Sequence, residues 1–353
     1  MRPIHVLIAE DSTLFAQVLA SIVEDEPDMT VVGIAENGVR AVKMCDELRP
    51  DIVLMDIRMP ELDGLSATET IMADTPTPIL VVTADPYHGG VDMSFRALSA
   101  GALDLMAKPT QLPWPDVERQ AFLRKVRLLA QIPVVRHVRA SRRRRTVSYH
   151  GPPTSEPFGA DSPAVGIVAS TGGPRALARL LGDLPETFPA PIFVVQHIIP
   201  GFSTHLARWL NTSSELHVVE ATDGVSPVPG HVYLAPSEFH LRIEAALAMS
   251  LEDSEPVAGH RPAGDILLES LARHALQRAV GVVLSGMGSD GTTGLAAIHR
   301  AGGVTMVQDR ESSVVYGMPQ SAIDLGVAQR VVPLDELART LVREVERLRG
   351  GFL

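Results

Sequence analysis

The sequence predicts an α/β protein with two doubly wound domains, on three observations. Short β-branched apolar runs alternate with amphipathic stretches from residue 4 to about 131, and again from about 163 to 353. The 353 residues suit about two domains at ~150 residues each. Residues 133–162 are rich in Arg, Ser, Pro and Gly and carry no sustained periodicity, as a linker does. The expected boundaries are therefore 1–130, 131–162 and 163–353.

Composition narrows the function classes. With 31 Lys+Arg against 42 Asp+Glu, the net charge of −11 argues against a dedicated nucleic-acid binder. The basic run Arg142-Arg143-Arg144-Arg145 has no interleaved aromatics and reads first as a solvated tether, with contact to an acidic partner or to nucleic acid as the alternative. A single cysteine, Cys45, excludes an intramolecular disulfide framework and a Cys-built zinc site. No apolar run reaches the ~18 residues of a membrane span. Acidic residues follow soon after the N-terminus, unlike a signal peptide. A cytoplasmic monomer without membrane insertion is expected.

In the first domain, residues 4–9, 30–35, 51–55, 78–83 and 102–107 read as five strands, apolar enough for a parallel sheet covered on both faces. Leu14, Phe15, Val18, Leu19, Ile22 and Val23 recur at helical spacing, and Ser12 is placed to cap that helix. Glu10, Asp11, Asp56, Thr83 and Lys108 fall at strand carboxyl ends, where such sheets place ligands. Three carboxylates together call for a cation, and an oxygen-only donor set suits Mg²⁺. Asp56 then becomes a candidate for aspartyl-phosphate formation, with Thr83 and Lys108 contacting the phosphoryl oxygens.

The string Leu54-Met55-Asp56-Ile57-Arg58-Met59-Pro60-Glu61-Leu62-Asp63-Gly64, with those five positions, resembles a two-component response-regulator receiver domain. The resemblance implies a flavodoxin-like fold, Mg²⁺ held by Glu10, Asp11 and Asp56, and phosphorylation of Asp56 by a histidine kinase. Two positions depart from the commonest pattern. Glu10 stands where aspartate is most frequent, and Leu105 stands where many receivers carry a switching aromatic.

In the second domain a strand over 165–169 runs into Ser170-Thr171-Gly172-Gly173-Pro174, then into helically spaced Ala176, Leu177, Leu180, Leu181 and Leu184. Pro174 fits the first helical position, and the glycines let the turn expose its amides. Such amides suit an anion or a developing oxyanion. The runs 192–196 and 280–284 end at His197 and at Ser285-Gly286-Met287-Gly288-Ser289-Asp290-Gly291, with a helix expected over 293–301. Ser170, His197 and Asp290 thus lie at or just past carboxyl ends of strands. A serine needs a base such as His197 to take its proton, and Asp290 would orient the imidazole. Thr171 and Met287 are the first backbone candidates for an oxyanion hole. The chain order Ser, His, Asp and the lack of a G-x-S-x-G elbow set this apart from α/β-hydrolases. A Gly-rich phosphate site is the competing reading, although the P-loop lysine is missing.

Taken with Gln196-His197 and Tyr316-Gly317-Met318-Pro319, these motifs resemble the chemotaxis protein-glutamate methylesterase family over nearly the whole chain. The resemblance implies a doubly wound α/β methylesterase domain with catalytic Ser170, His197 and Asp290. It implies hydrolysis of γ-glutamyl methyl esters on methyl-accepting chemotaxis receptors, with deamidation of selected glutamines. A chemotaxis histidine kinase would be the phosphodonor, and the resting receiver is expected to pack over the catalytic cleft. No cofactor is expected at the esterase site. The segments His260-Arg261-Pro262 and Ala235-Pro236-Ser237 also look shared, without an assigned role.

Overall fold

The structure is a computed structural model that describes residues 2–83, 90–109, 111–134, 162–198 and 200–350. The chain divides into two compact units, residues 1–142 and 143–353. Each is described by itself. The run Arg142–Arg145 lies outside the described residues, as does most of the expected linker. Among the described residues, no helix is long and apolar enough to cross a membrane.

In the first unit, β1 (Ile4–Ala9), β2 (Met29–Ala35), β3 (Ile52–Met55), β4 (Ile79–Thr83) and β5 (Asp104–Ala107) form one sheet in the order β2-β1-β3-β4-β5. Every pairing is parallel. The connections run through α1 (Thr13–Glu24), α2 (Gly38–Leu48), α3 (Gly64–Asp74) and α4 (Gly90–Ala100), and α5 (Asp116–Leu129) follows. Short polar residues start three of these helices. Ser12, Asn37 and Asp63 accept the amides of Phe15, Arg40 and Ser66 at 3.4, 2.8 and 2.8 Å. Each such cap is worth about 1 kcal/mol. Helix α1 buries Leu19, Ile22 and Val23, as its spacing predicts, together with Ala16, and leaves Phe15 and Val18 half-buried. Leu14 differs: it is exposed in the first turn of the helix.

The second unit has a seven-stranded sheet in the order β14-β13-β12-β6-β7-β9-β8, again parallel throughout. Its strands are β6 (Ala164–Ala169), β7 (Ile192–Gln196), β8 (His217–Glu220), β9 (His231–Leu234), β12 (Ala279–Val283), β13 (Val304–Gln308) and β14 (Arg330–Val332). An antiparallel ribbon of β10 (His240–Ile243) and β11 (Met249–Glu252) stands apart; the apolar pattern did not reveal it. The helices are α6 (Gly173–Asp183), α7 (Ser203–Ser213), α8 (Gly264–Ala275), α9 (Thr292–Arg300), α10 (Gly317–Asp324) and α11 (Leu334–Arg349). Val168, Val283, Leu267, Leu268, Leu295 and Ile298 form much of the contact between the sheet and α8 and α9. The order in which strands are added reverses at β6, which lies between β7 and β12, with later strands laid down on either side of it. The carboxyl ends of those three strands therefore open on one crevice, where doubly wound sheets bind ligands.

Candidate active site

The first unit gathers its acids as the sequence reading expects. Carboxylate oxygens of Glu10, Asp11 and Asp56 lie within 4.8 Å of one another. Glu10 and Asp56 are buried and Asp11 is exposed. Lys108 bridges the two buried acids, with Nζ 2.6 Å from Glu10 Oε2 and 2.8 Å from Asp56 Oδ2. The same ammonium lies 4.8 Å from the centre of the Phe15 ring. Burial pushes the Glu10 carboxyl above its usual range, and the neighbouring Asp56 adds to this, while Lys108 and the Ser12 amide oppose it. A wholly carboxylate donor set of this size fits a hard divalent cation such as Mg²⁺. Asp56 Oδ1 accepts the Ile57 amide at 2.7 Å, leaving Oδ2 toward Lys108. Thr83 is buried at the end of β4, and its carbonyl accepts the Lys108 amide at 2.7 Å. Leu105 is buried on β5. A Cβ on Gly64 would meet the Asp56 carbonyl oxygen at 1.9 Å. The glycine closing the Asp56 string is thus a steric requirement.

In the second unit, Ser170 follows β6 and its amide donates to the Ser285 carbonyl at 3.0 Å. The Ser170 carbonyl accepts the Gly173 amide at 2.7 Å, so this amide is used within the turn and is not free for an anion. Gly172 caps α6 at φ +77°, a conformation open to glycine, and Pro174 lies in the first turn. His197 follows β7, and its amide bonds the Ala169 carbonyl at 2.9 Å. Gln196 clamps the two strand ends, since its Nε2 donates to the carbonyls of Ser170 and His197, both at 2.9 Å. The third strand end reaches the same place. A Cβ on Gly286 would lie 2.8 Å from the Ser170 Cβ, so the loop after β12 runs directly against the serine. Thr171 is buried and Met287 half-buried on these two turns.

Asp290 is held from several sides. Its Oδ2 lies 2.7 Å from His197 Nε2 and accepts the Gly264 amide at 2.6 Å. Its Oδ1 accepts the amides of Asp265 and Gly291 at 2.9 and 3.0 Å. Burial acts to raise this carboxyl, but the bonds to His197 and to the amides of Gly264 and Asp265 outweigh it and keep Asp290 below its ordinary value. The structure thus joins His197 to Asp290 and brings Ser170 to the neighbouring strand end. It does not form a bond from the serine to the imidazole: His197 Nδ1 is buried and has no hydrogen-bond partner among the described residues. Catalytic hydrogen bonds of this kind often tighten only with substrate in place.

Sequence reasoning missed Gln196 as a clamp, the α8 amides that grip Asp290, and Ser285. The Ser285 hydroxyl donates to the Thr171 carbonyl at 2.7 Å and accepts the Val315 amide at 2.9 Å. The motif strings did contain Gln196 and Ser285, but nothing in their spacing distinguishes a clamp from a strand end.

The family model for the response regulator receiver domain matches residues 6–113, and that for the CheB methylesterase matches residues 165–341. A protein-glutamate methylesterase/protein-glutamine glutaminase of Anaeromyxobacter dehalogenans is 46% identical over 346 residues, covering 98% of this chain and 98% of that protein. A protein of the same description from Pyrococcus horikoshii is 34% identical, covering 99% of this chain and 96% of its own length. The crystal structure of the Thermotoga maritima CheB methylesterase catalytic domain is 42% identical, with a TM-score of 0.51, and covers 52% of this chain and 98% of that one. An N-terminal receiver followed by this hydrolase domain, with relatives matched end to end, makes the chain a member of the CheB family of response-regulator methylesterases.

Proposed function

We propose that the chain removes methyl groups from γ-glutamyl methyl esters of methyl-accepting chemotaxis receptors, deamidates receptor glutamines, and is switched on by phosphorylation. The His197–Asp290 pair beside the Ser170 turn is the single observation that carries the hydrolase reading. The Ser170 hydroxyl attacks the ester carbonyl. His197 Nδ1, the ring nitrogen not engaged by Asp290, takes its proton. The amides of Thr171 and Met287 receive the oxyanion, each such donor being worth about 3–4 kcal/mol. The tetrahedral adduct collapses, and the proton on His197 goes to the departing methoxide, which leaves as methanol. Water, deprotonated by His197, then opens the acyl-serine and restores the hydroxyl. With a glutamine substrate, ammonia is the first leaving group. Asp290 stays ionised throughout and stabilises the imidazolium.

Glu10, Asp11 and Asp56 would hold Mg²⁺ in the receiver, where it supplies positive charge to offset an incoming phosphoryl group. Asp56 accepts that group from a chemotaxis histidine kinase. Thr83 and Lys108 contact the phosphoryl oxygens. A phosphorylated Asp56 competes with Glu10 for Lys108, and so biases the receiver between two arrangements.

Receptors carrying labelled methyl groups, incubated with the protein and Mg²⁺ with and without a small-molecule phosphodonor, test both parts. Volatile label is expected in both arms, and faster with the donor. No volatile label would reject the esterase, and equal rates would reject the switch.

A further inference from the structure

His197 has a neighbour that the triad reading does not use. The rings of His197 and His260 lie face to face, with centroids 3.9 Å apart and planes within 2°. His260 ends a tight turn closed by reciprocal backbone bonds with Val257, at 3.0 and 2.9 Å. Ala258 and Gly259, at φ +50° and +83°, form its bend. A few residues on, the amides of Gly264 and Asp265 hold Asp290. One run, residues 260–265, therefore grips both members of the base–acid pair.

The contact answers a geometric need. Asp290 holds the His197 ring at Nε2 alone, and among the described residues Nδ1 has no hydrogen-bond partner to fix the ring's rotation. A ring tethered at one edge is free to tilt about that bond, and a displacement near 1 Å at a reacting atom costs ~10²-fold in rate. A flat surface pressed on one face removes this freedom and keeps water from that face. Charge is consistent with such a role. Burial lowers the His260 pKa and the adjoining His197 lowers it further, while Asp290 opposes them. His260 therefore stays neutral beside a ring that must carry a proton during turnover. Those two are the charged or titratable groups that act on His260 among the described residues; the Arg261 guanidinium is turned to Asp253 at 2.7 Å.

We propose that His260 is a positioning residue for ester hydrolysis, whose flat ring holds the His197 imidazole in line with Asp290. The proposal rests on the reading of His197 as the base.

The full-length chain, assayed for methanol release from methylated receptors, tests it through four variants. His260→Ala is expected to lower kcat about 10–100-fold with KM within about twofold, the scale of a misplaced reacting group. His260→Phe, flat and neutral, should recover most of that loss. His260→Arg places a fixed charge on the stack and should move the acid limb of kcat/KM down by about one pH unit. His197→Ala separates the two readings: if it keeps wild-type turnover, the base assignment fails and not the stacking role alone. If His260→Ala does not fold, His260→Leu, bulky but not flat, takes its place beside His260→Phe. Unchanged kcat in the alanine or leucine variant would overturn the proposal. So would a phenylalanine variant no better than it, or an arginine variant with an unmoved pH profile.

Discussion

Asp56 and Asp290 both stand past the carboxyl end of a parallel strand, yet the chain surrounds them differently. Asp56 shares one ammonium with Glu10, and its other oxygen accepts, among the described residues, the adjacent Ile57 amide. Asp290 accepts three backbone amides and an imidazole. A lysine on a flexible stem can change partners, whereas amides at the starts of α8 and α9 cannot follow a departing charge. On the proposed reading, the same residue type is set up once to be modified and once to stay as it is. The lesson is that the donors around a carboxylate, more than its place in the fold, separate a reactive acid from an orienting one.

The sharpest break would come at Ser170, the proposed nucleophile, which sets the floor for the second site. Ser170→Ala is expected to lower methanol release by about 10⁵-fold or more, with an unchanged circular dichroism spectrum. Turnover near wild type would remove the serine from the mechanism. Asp290→Asn comes next, at about 10⁴-fold in kcat. Its side-chain amide sets a donor against the Gly264, Asp265 or Gly291 amides or against His197, so the melting temperature should fall as well. Asp56→Asn tests the other half of the comparison: phosphodonor and Mg²⁺ should raise the wild-type rate and leave the variant's rate where it was. Equal stimulation of both proteins would show that Asp56 is not the acceptor.

The smallest effect concerns Asp265, whose carboxyl accepts the Gly294 amide at 2.8 Å. Burial is the main cause lifting it to about 6, with Asp290 and Glu269 adding to the rise. A carboxyl raised in the folded state binds its proton more tightly there than when unfolded, so stability declines as pH climbs from about 4 to 6. The deficit is complete above the folded value and absent below the unfolded one. Asp265→Asn, which can still accept from Gly294, should flatten that slope and stabilise the protein near pH 7 by about 1 kcal/mol after allowance for solvent screening. Thermal melts of both proteins from pH 4 to 7.5 would show it.

Much of this was legible in the residues. Buried parallel strands lack a polar face, so the runs ending at Ala9, Met55, Ala169 and Gln196 stood out, and candidate functional side chains follow them by one or two positions. The structure starts α9 at Thr292, one residue before its expected start, and begins β5 at Asp104, two residues inside its apolar run. The ribbon β10-β11 escaped notice because its four-residue strands mix His, Arg and Glu with apolar positions. The clamps escaped for another reason. Gln196, Ser285 and the Gly264 and Asp265 amides act across separations of 25 to 114 residues. Local spacing carries no trace of a contact at that range.

Ser285 draws these separations together. Its carbonyl takes the Ser170 amide, its hydroxyl joins the Thr171 carbonyl to the Val315 amide, and its own amide leans on the Gln308 side chain. One small buried alcohol is the keystone for three stretches of backbone that arrive from distant parts of the polypeptide. The Ser170 turn therefore has little freedom to fray by itself, and loss of competence on heating should track the melting of the whole sheet.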